Sequence, residues 1–125
     1  MESQPTATVV IVSSDATERE RLVSVARTAG HTVIESESAE QALSRIAPPA
    51  RMVLIIDHVL HDMSAHDLIE ALHQRGLFVP TLVVVPNQAI GQAVVGLRLG
   101  AKDVLEQPFG EKRLLTAIAQ ALDKP

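Results

Sequence analysis

The chain contains no cysteine, no tryptophan and no tyrosine, and its only phenylalanines are Phe78 and Phe109. The absence of cysteine excludes disulfide bonds and thiolate metal sites, and it leaves the redox compartment unconstrained. The scarcity of aromatic rings leaves little for a flat cofactor such as a flavin to stack on. The first apolar run leads into SSDAT, a hydroxyl-rich segment that lacks the glycines of a phosphate-binding loop. We therefore expect no cofactor of that kind.

Long apolar runs and an excess of basic charge are also missing. The longest apolar runs are far shorter than the roughly twenty residues that a membrane-spanning helix needs, and the N-terminus lacks the pattern of a secretory signal peptide. Lys and Arg number 11 against 15 Asp and Glu, giving a net charge of −4, and the basic residues are scattered. We expect a cytoplasmic protein that binds neither membranes nor, through this domain, nucleic acid.

What is present is enough apolar residues for a core: 46% of the 125 residues are hydrophobic. This length and composition predict one folded domain. Residues 1–7 are polar, contain Pro5 and are expected to form a flexible leader. Residues 8–123 are expected to form the domain, and no internal repeat or linker divides them.

Apolar runs bounded by turn residues predict five strands: Thr8–Ser13, His31–Ser36, Met52–Asp57, Pro80–Val85 and Lys102–Leu105. Helical periodicity and capping residues predict five helices between and after them. The first four follow Asp15, Ser38, Ser64 and Asn87, and the last spans Gly110–Leu122. The short second strand alternates in polarity, which is typical of a sheet edge.

Strands that alternate with helices on short connections form a (βα)5 unit. Right-handed crossovers then favour a flavodoxin-like, doubly wound parallel sheet with the strand order 2-1-3-4-5. In such sheets the chemistry collects at the carboxyl ends of the strands. Asp57 closes the most apolar strand, so the functional question centres on its neighbours.

In this order of elements the chain resembles the receiver domain of two-component response regulators, over essentially its whole length. The resemblance rests on VVIVSSD, MVLIIDHVLHDMSAHDL, VPTLVVV and LRLGAKDVLEQPF. It implies phosphorelay signal transduction, in which an aspartate after the third strand accepts a phosphoryl group from a sensor histidine kinase. Two acidic residues after the first strand then hold Mg²⁺, while a hydroxyl and a lysine bind the phosphoryl oxygens.

Carried onto this sequence, the resemblance assigns the phospho-acceptor position to Asp57. Ser13 and Ser14 stand in place of the acidic pair, and neutral hydroxyls are poor ligands for Mg²⁺. We expect Mg²⁺ binding to be weak or absent. The remaining candidate metal ligands are Asp57, Asp15, His58 and His61, of which Asp15 is better explained as a helix N-cap.

The positions that sense the phosphoryl group in the family also differ here. Val85 stands in place of the hydroxyl residue, Gln107 in place of the lysine, and Val104 in place of the aromatic residue that moves with the hydroxyl. Pro108 occupies the position where the family usually has a cis peptide. Asp57 retains none of the usual helper groups, although a hydrogen bond from Ser13, Ser14 or Gln107 would satisfy it as a structural carboxylate.

Three histidines and an aspartate follow Asp57 in an H-x-x-H-D-x3-H pattern: His58, His61, Asp62 and His66. Imidazole suits transition metals and titrates near neutral pH, so a metal site or a pH sensor is one interpretation. The simpler interpretation, which we favour, is a set of solvated loop residues, because no fixed scaffold holds them at ligand spacing.

Together these features predict a degenerate receiver that is not an enzyme and that acts as a phosphorylation-independent protein-interaction module. Its expected partners are a sensor histidine kinase or another signalling protein. The predicted fourth helix, residues 88–99, is apolar enough to form a homodimer face with the fifth strand and the last helix. Two alternatives stay open: slow or partner-assisted phosphorylation of Asp57, and a small-ligand sensor in the pocket that the acidic pair would otherwise fill.

Overall fold

The computed structural model describes residues 7–46, 51–58, 60–86 and 101–123. The predicted fourth helix, residues 88–99, lies outside the described residues, as does its part of the predicted dimer face. Of the predicted leader only Ala7 is described. It is buried, and its carbonyl accepts a hydrogen bond of 3.1 Å from the backbone N–H of Thr32.

Five parallel strands form a single sheet in the order β2-β1-β3-β4-β5, which confirms the predicted topology. The strands are β1 (Thr8–Val12), β2 (Thr32–Ser36), β3 (Met52–Asp57), β4 (Thr81–Val85) and β5 (Asp103–Glu106). In register, Val12 lies between Ser36 on β2 and Ile56 on β3. The carboxyl ends of β1 and β3 therefore meet beside one another.

Three of the four described helices begin directly after capping residues that the sequence predicts. The described helices are α1 (Ala16–Thr28), α2 (Ala39–Arg45), α3 (Ala65–Gln74) and the C-terminal helix (Glu111–Asp123). Asp15, Ser38 and Ser64 each accept a 3.1 Å hydrogen bond from the backbone N–H three residues later. Such a bond satisfies one of the unpaired N–H groups of a helix start.

Two apolar layers cover the two faces of the sheet. On one face, alternate strand residues such as Val10 and Leu54 pack with the buried residues of α2 and α3. On the other face, Val9 and Val53 pack with α1 and the C-terminal helix. Because β3 is covered on both faces, its residues from Met52 to Ile56 are all buried. The apolar run in the sequence predicted this central position.

The inward faces of two helices differ in part from the prediction. Ala29 is exposed because α1 ends at Thr28, and Gly30 then takes a positive φ of 96°. In the C-terminal helix the buried residues are Leu114, Ala117, Ile118 and Ala121, whereas the predicted Ala119 is exposed. Leu115 and Leu122 are only partly buried. The described helices include none that is long and apolar enough to cross a membrane.

Candidate functional site

Asp57 and Ser13 lie side by side at the carboxyl edge of the sheet. Asp57 is the last residue of β3 and is half-buried, while Ser13 directly follows β1 and is fully buried. The Ser13 hydroxyl donates a hydrogen bond of 2.5 Å to Oδ2 of Asp57 and lies 3.2 Å from the backbone N–H of Asp15, which donates to it. Of the three donors considered for Asp57 in the sequence, the structure brings Ser13 into contact.

The surroundings of Asp57 disfavour its charged form. Burial is the largest influence and raises the pKa of the Asp57 carboxyl above its ordinary value. The hydrogen bond from Ser13 and the charge of His58 lower this pKa, whereas the negative charges of Glu18 and Asp15 raise it further. The net pKa is raised, so one hydroxyl does not offset the burial of the carboxylate.

Ser14 forms its hydrogen bonds with neighbouring loops and not with Asp57. Its side chain is exposed and its hydroxyl donates to the backbone carbonyl of Glu37 at 3.1 Å. The same oxygen accepts from the backbone N–H of His61 at 3.1 Å and lies 2.9 Å from Nδ1 of the His61 ring. Ser14 therefore ties the loop after β3 to the loop after β2.

Asp62 fastens the same loop to the start of α2. Its Oδ1 and Oδ2 accept hydrogen bonds of 3.0 Å from the backbone N–H groups of Ala39 and Glu40. Desolvation is the largest single influence and raises the pKa of Asp62. These two hydrogen bonds, one from the backbone of Asp62 itself and the charge of His61 together outweigh it, so the pKa lies below its ordinary value. The sequence offered no signal for this contact, because Ser38 already accounted for the cap of α2.

The histidine pattern after Asp57 does not converge on one point. His61 contacts Ser14, Asp62 caps α2, and His66 lies 3.7 Å from Glu70 on α3. Within the described ranges, one group of His, Asp or Glu side chains brings three ligand atoms close together: His66, Asp67 and Glu70, all exposed. The candidate ligands named from the sequence form no such group.

The β4–β5 side of the site is mainly apolar. Val85 ends β4 and is buried, and its carbonyl accepts a 2.8 Å hydrogen bond from the backbone N–H of Gln107. The peptide bond between Gln107 and Pro108 is cis. Val104 is half-buried and packs on the α2–α3 side of the sheet. In the described part of the chain no hydroxyl or lysine side chain from β4 or β5 bonds to Asp57.

The residues present do not fit a magnesium ion. Magnesium requires several oxygen ligands in octahedral geometry and is bound chiefly through carboxylates. Asp57 is the one carboxylate at the end of β3, and it already accepts the Ser13 hydrogen bond. Oδ1 of Asp15 accepts from the backbone N–H of Glu18 as the cap of α1. The hydroxyl of Ser14 is engaged by His61 and Glu37.

Comparison with known families agrees with this fold. The sequence profile described as the response regulator receiver domain matches residues 9–119. The chain belongs to this family. Receiver domains of response regulators act in two-component signalling, where they interact with sensor histidine kinases.

Curated relatives are response regulators. The chain is 32% identical over 114 residues to the response regulator protein FleR of Pseudomonas aeruginosa, a match that covers 91% of the chain and 24% of FleR. It is 31% identical to the transcriptional regulatory protein FixJ of Rhizobium meliloti, over 91% of the chain and 56% of FixJ. The chain thus spans about a quarter to a half of the length of these relatives.

Solved structures give the same fold. The crystal structure of FixJ-N superposes with a TM-score of 0.89 at 27% identity, covering 100% of this chain and 98% of that one. A putative response regulator from Chloroflexus aurantiacus superposes with a TM-score of 0.85 at 29% identity, covering 96% of this chain and 100% of that one. These superpositions confirm the receiver fold.

Proposed function

We propose that this receiver domain signals by binding other proteins, without magnesium-dependent phosphorylation of Asp57. The observation that carries the proposal is the 2.5 Å hydrogen bond between the Ser13 hydroxyl and Asp57. A neutral hydroxyl here supplies neither the charge nor the ligand set that an acidic pair would give a metal ion. The bond also engages Oδ2, one of the two oxygens through which Asp57 would attack a phosphoryl group.

The size of the loss supports the proposal. Phosphoryl transfer depends almost entirely on positioning and on positive charge placed around the transferred group. Removing such an electrostatic clamp commonly costs several kcal/mol, or roughly a thousandfold in rate. In this chain the metal-binding acids, the sensing hydroxyl and the lysine are all replaced, by Ser13, Ser14, Val85 and Gln107.

The proposed partners are a sensor histidine kinase or another signalling protein. We also propose that residues 8–123 form a single domain. This domain forms a homodimer through the predicted fourth helix, β5 and the C-terminal helix. Support for an interaction role comes from the family and from the retained fold, in which the described residues form two apolar layers although the helper residues are replaced.

Slow or partner-assisted phosphorylation of Asp57 is the second candidate. It is favoured by the half-buried state of Asp57, since this carboxylate keeps a path to solvent at the edge of the sheet. A kinase that supplied positive charge in the complex would replace part of what the domain lacks. The ligand-sensor alternative has less support, because the Ser13 and Ser14 hydroxyls are both engaged within the chain.

The two candidates separate in one experiment. The domain is incubated with acetyl phosphate and Mg²⁺, and with a phosphorylated sensor kinase, and its intact mass is measured beside the Asp57→Asn variant. The proposal expects no adduct of about 80 Da under conditions in which a receiver with a complete acidic pair is fully labelled. A labile adduct that is missing from Asp57→Asn would instead identify Asp57 as a working acceptor.

The interaction role needs its own measurement. Partners captured by the wild-type domain are tested for binding to Asp57→Asn and to Ser13→Ala. Binding that is unchanged in Asp57→Asn supports a phosphorylation-independent module. Binding that requires both Asp57 and an added phosphoryl donor would contradict the proposal, whatever the rate of labelling.

A further inference from the structure

A cleft lies at the free edge of the sheet, where α1 and α2 flank the end of β2. Its volume is about 230 Å³, and polar side chains provide nearly all of its lining: Arg19, Glu35, Ser36, Glu37, Gln41 and Arg45. Two arginines and two glutamates thus line one small space. Their formal charges cancel, which distinguishes this cleft from an anion or a cation site.

Part of this charge is already fixed in place. Nε of Arg19 lies 3.3 Å from Oε1 of Glu35, and Nη1 of Arg19 donates to the carbonyl of Ser13 at 2.8 Å. Nη1 of Arg45 donates to the carbonyl of Glu35 at 2.6 Å. Because a guanidinium carries five N–H donors, both arginines keep donors for a further acceptor.

The remaining charges in the cleft are not paired with each other. Within the described ranges the Glu37 carboxylate has no ion pair or hydrogen bond, and Arg45 forms no ion pair with it although both line the cleft. A ligand with one charge would meet repulsion from one of these groups. A ligand that carries both charges would be attracted by both.

We propose that this cleft binds a free α-amino acid as a zwitterion. The ligand carboxylate is held by the remaining N–H groups of Arg45 and Arg19, since a guanidinium matches a carboxylate in shape and charge. The ligand ammonium is held by Glu37. The amide of Gln41, whose Oε1 accepts from the backbone N–H of Glu37 at 3.0 Å, keeps its N–H groups for the same carboxylate. This inference does not depend on the function proposed above.

The cleft is bonded directly to the site around Asp57. The carbonyl of Ser36 accepts a 3.1 Å hydrogen bond from the backbone N–H of Ser13, and the carbonyl of Glu37 accepts one of 3.1 Å from the Ser14 hydroxyl. Two successive residues of the cleft therefore hold the two serines of the candidate site. Occupation of the cleft should change the environment of both serine amides.

The test is a titration followed by the amide signals in ¹H–¹⁵N NMR spectra of the whole chain at pH 7. The probes are glycine, which carries both charges, N-acetylglycine, which keeps the carboxylate alone, and glycinamide, which keeps the ammonium alone. Glycine should shift the amides of residues 35–37 and 41 to saturation, and those of residues 13 and 14 with them. Each single-charge probe should bind at least about tenfold more weakly than glycine.

Two variants locate the site. Arg45→Gln and Glu37→Gln should each weaken glycine binding by about tenfold or more. Lys102→Gln and Glu111→Gln make the same charge changes at exposed positions outside the cleft and should leave binding unchanged. The proposal is overturned if glycine gives no saturation up to about 100 mM. The proposal is also overturned if the three probes bind equally well. It is overturned as well if the Arg45→Gln variant binds glycine as tightly as the wild type.

Discussion

The two halves of the carboxyl edge of the sheet differ sharply in how they are held. On the β1–β3 side, Ser13, Ser14 and Asp62 form hydrogen bonds that join three loops. On the β4–β5 side, a hydrogen bond between backbone groups joins Val85 and Gln107. At the positions that the family resemblance assigns to helper groups, the two halves carry Ser13, Ser14, Val85 and Gln107. Among the described residues, side-chain hydrogen bonds at these positions are found in the first half.

This difference indicates what each half now does. A site that binds a metal ion and a phosphoryl group keeps its polar atoms free for those ligands. Here Ser14 and His61 form a hydrogen bond with each other, and the Asp62 carboxylate accepts a hydrogen bond from the start of α2. The polar side chains of the first half are therefore engaged within the fold, whereas in the second half Val85 is buried in the core.

The largest expected effect comes from rebuilding both halves together. The quadruple variant Ser13→Asp, Ser14→Asp, Val85→Thr and Gln107→Lys restores the groups that the family uses. Its labelling by acetyl phosphate in Mg²⁺ should exceed that of the wild type by roughly a thousandfold, measured from the rate of mass gain.

The controls for this variant separate the two halves. Rebuilding the first half alone, with Ser13→Asp and Ser14→Asp, should restore only part of the rate because the charge on the phosphoryl oxygens is still uncompensated. Adding Asp57→Asn to the quadruple variant should abolish labelling. Comparable labelling of the quadruple variant and the wild type would show that the missing groups do not limit the reaction.

The next largest effect concerns the bond between Ser13 and Asp57. Ser13→Ala leaves a buried carboxylate without its donor and should lower the free energy of unfolding by about 1–3 kcal/mol, measured by urea denaturation. The pKa of Asp57 should rise further, since the Ser13 bond lowers it. Carboxyl ¹³C NMR titration measures that change.

Ser36→Ala is the matched control for this prediction. Ser36 is also a buried serine at this edge, but its hydroxyl has no partner within the described part of the chain. Removing an unsatisfied hydroxyl should leave stability unchanged or raise it. Equal losses in the two variants would mean that packing, and not the bond to Asp57, holds the first half together.

A smaller loss is expected when the loop after β3 is released from α2. Asp62→Ala removes the acceptor for the N–H groups of Ala39 and Glu40 and should cost about 1 kcal/mol, the usual value of a helix cap. The pKa of Asp62 is lowered in the folded state, so its contribution is present above the ordinary pKa and is lost as pH falls through the lowered one.

Urea denaturation of Asp62→Ala at pH 7 and at a pH below the lowered pKa measures this dependence. Asp67→Ala serves as the control, because Asp67 is an exposed aspartate near the start of α3 whose carboxylate accepts no hydrogen bond in the described ranges. If the two variants lose the same stability at pH 7, the contact between Asp62 and α2 contributes nothing specific.

The comparison of the two halves also explains what could be predicted from the sequence. Strand β3 was predicted with its correct bounds, and the caps at Asp15, Ser38 and Ser64 were predicted correctly, because each depends on neighbours within a few residues. The strand order followed from the alternation of elements. Ser13 was one of three residues expected to donate a hydrogen bond to Asp57, because the receiver resemblance assigns it to a position beside the phospho-acceptor.

The contacts that the sequence did not reveal join distant residues. Ser14 and His61 are 47 positions apart, and Asp62 bonds to residues 22 and 23 positions away. No local pattern encodes which of several polar loop residues will meet. The H-x-x-H-D-x3-H pattern looked like a cluster because its members are close in sequence, yet the loop sends their side chains in different directions.

The smallest expected effect is the change in stability when the charge of Asp57 is removed. Its pKa is raised in the folded state, so the folded state binds the proton more tightly than the unfolded state does. The contribution of Asp57 to the free energy of unfolding is therefore fully present below the ordinary pKa of aspartate. It is lost as the pH rises through the raised pKa of the folded state. Asp57→Asn keeps the shape and an acceptor for Ser13 but carries no charge.

Asp57→Asn should accordingly raise the melting temperature by up to a few degrees at pH 7, and the gain should shrink as pH falls below the ordinary pKa of aspartate. Thermal unfolding followed by circular dichroism across this range measures it. Asp123→Asn, at the exposed end of the C-terminal helix, controls for net charge. A variant that is less stable than wild type at pH 7 would mean that ionised Asp57 stabilises the fold, and that the bond from Ser13 outweighs the burial of its charge.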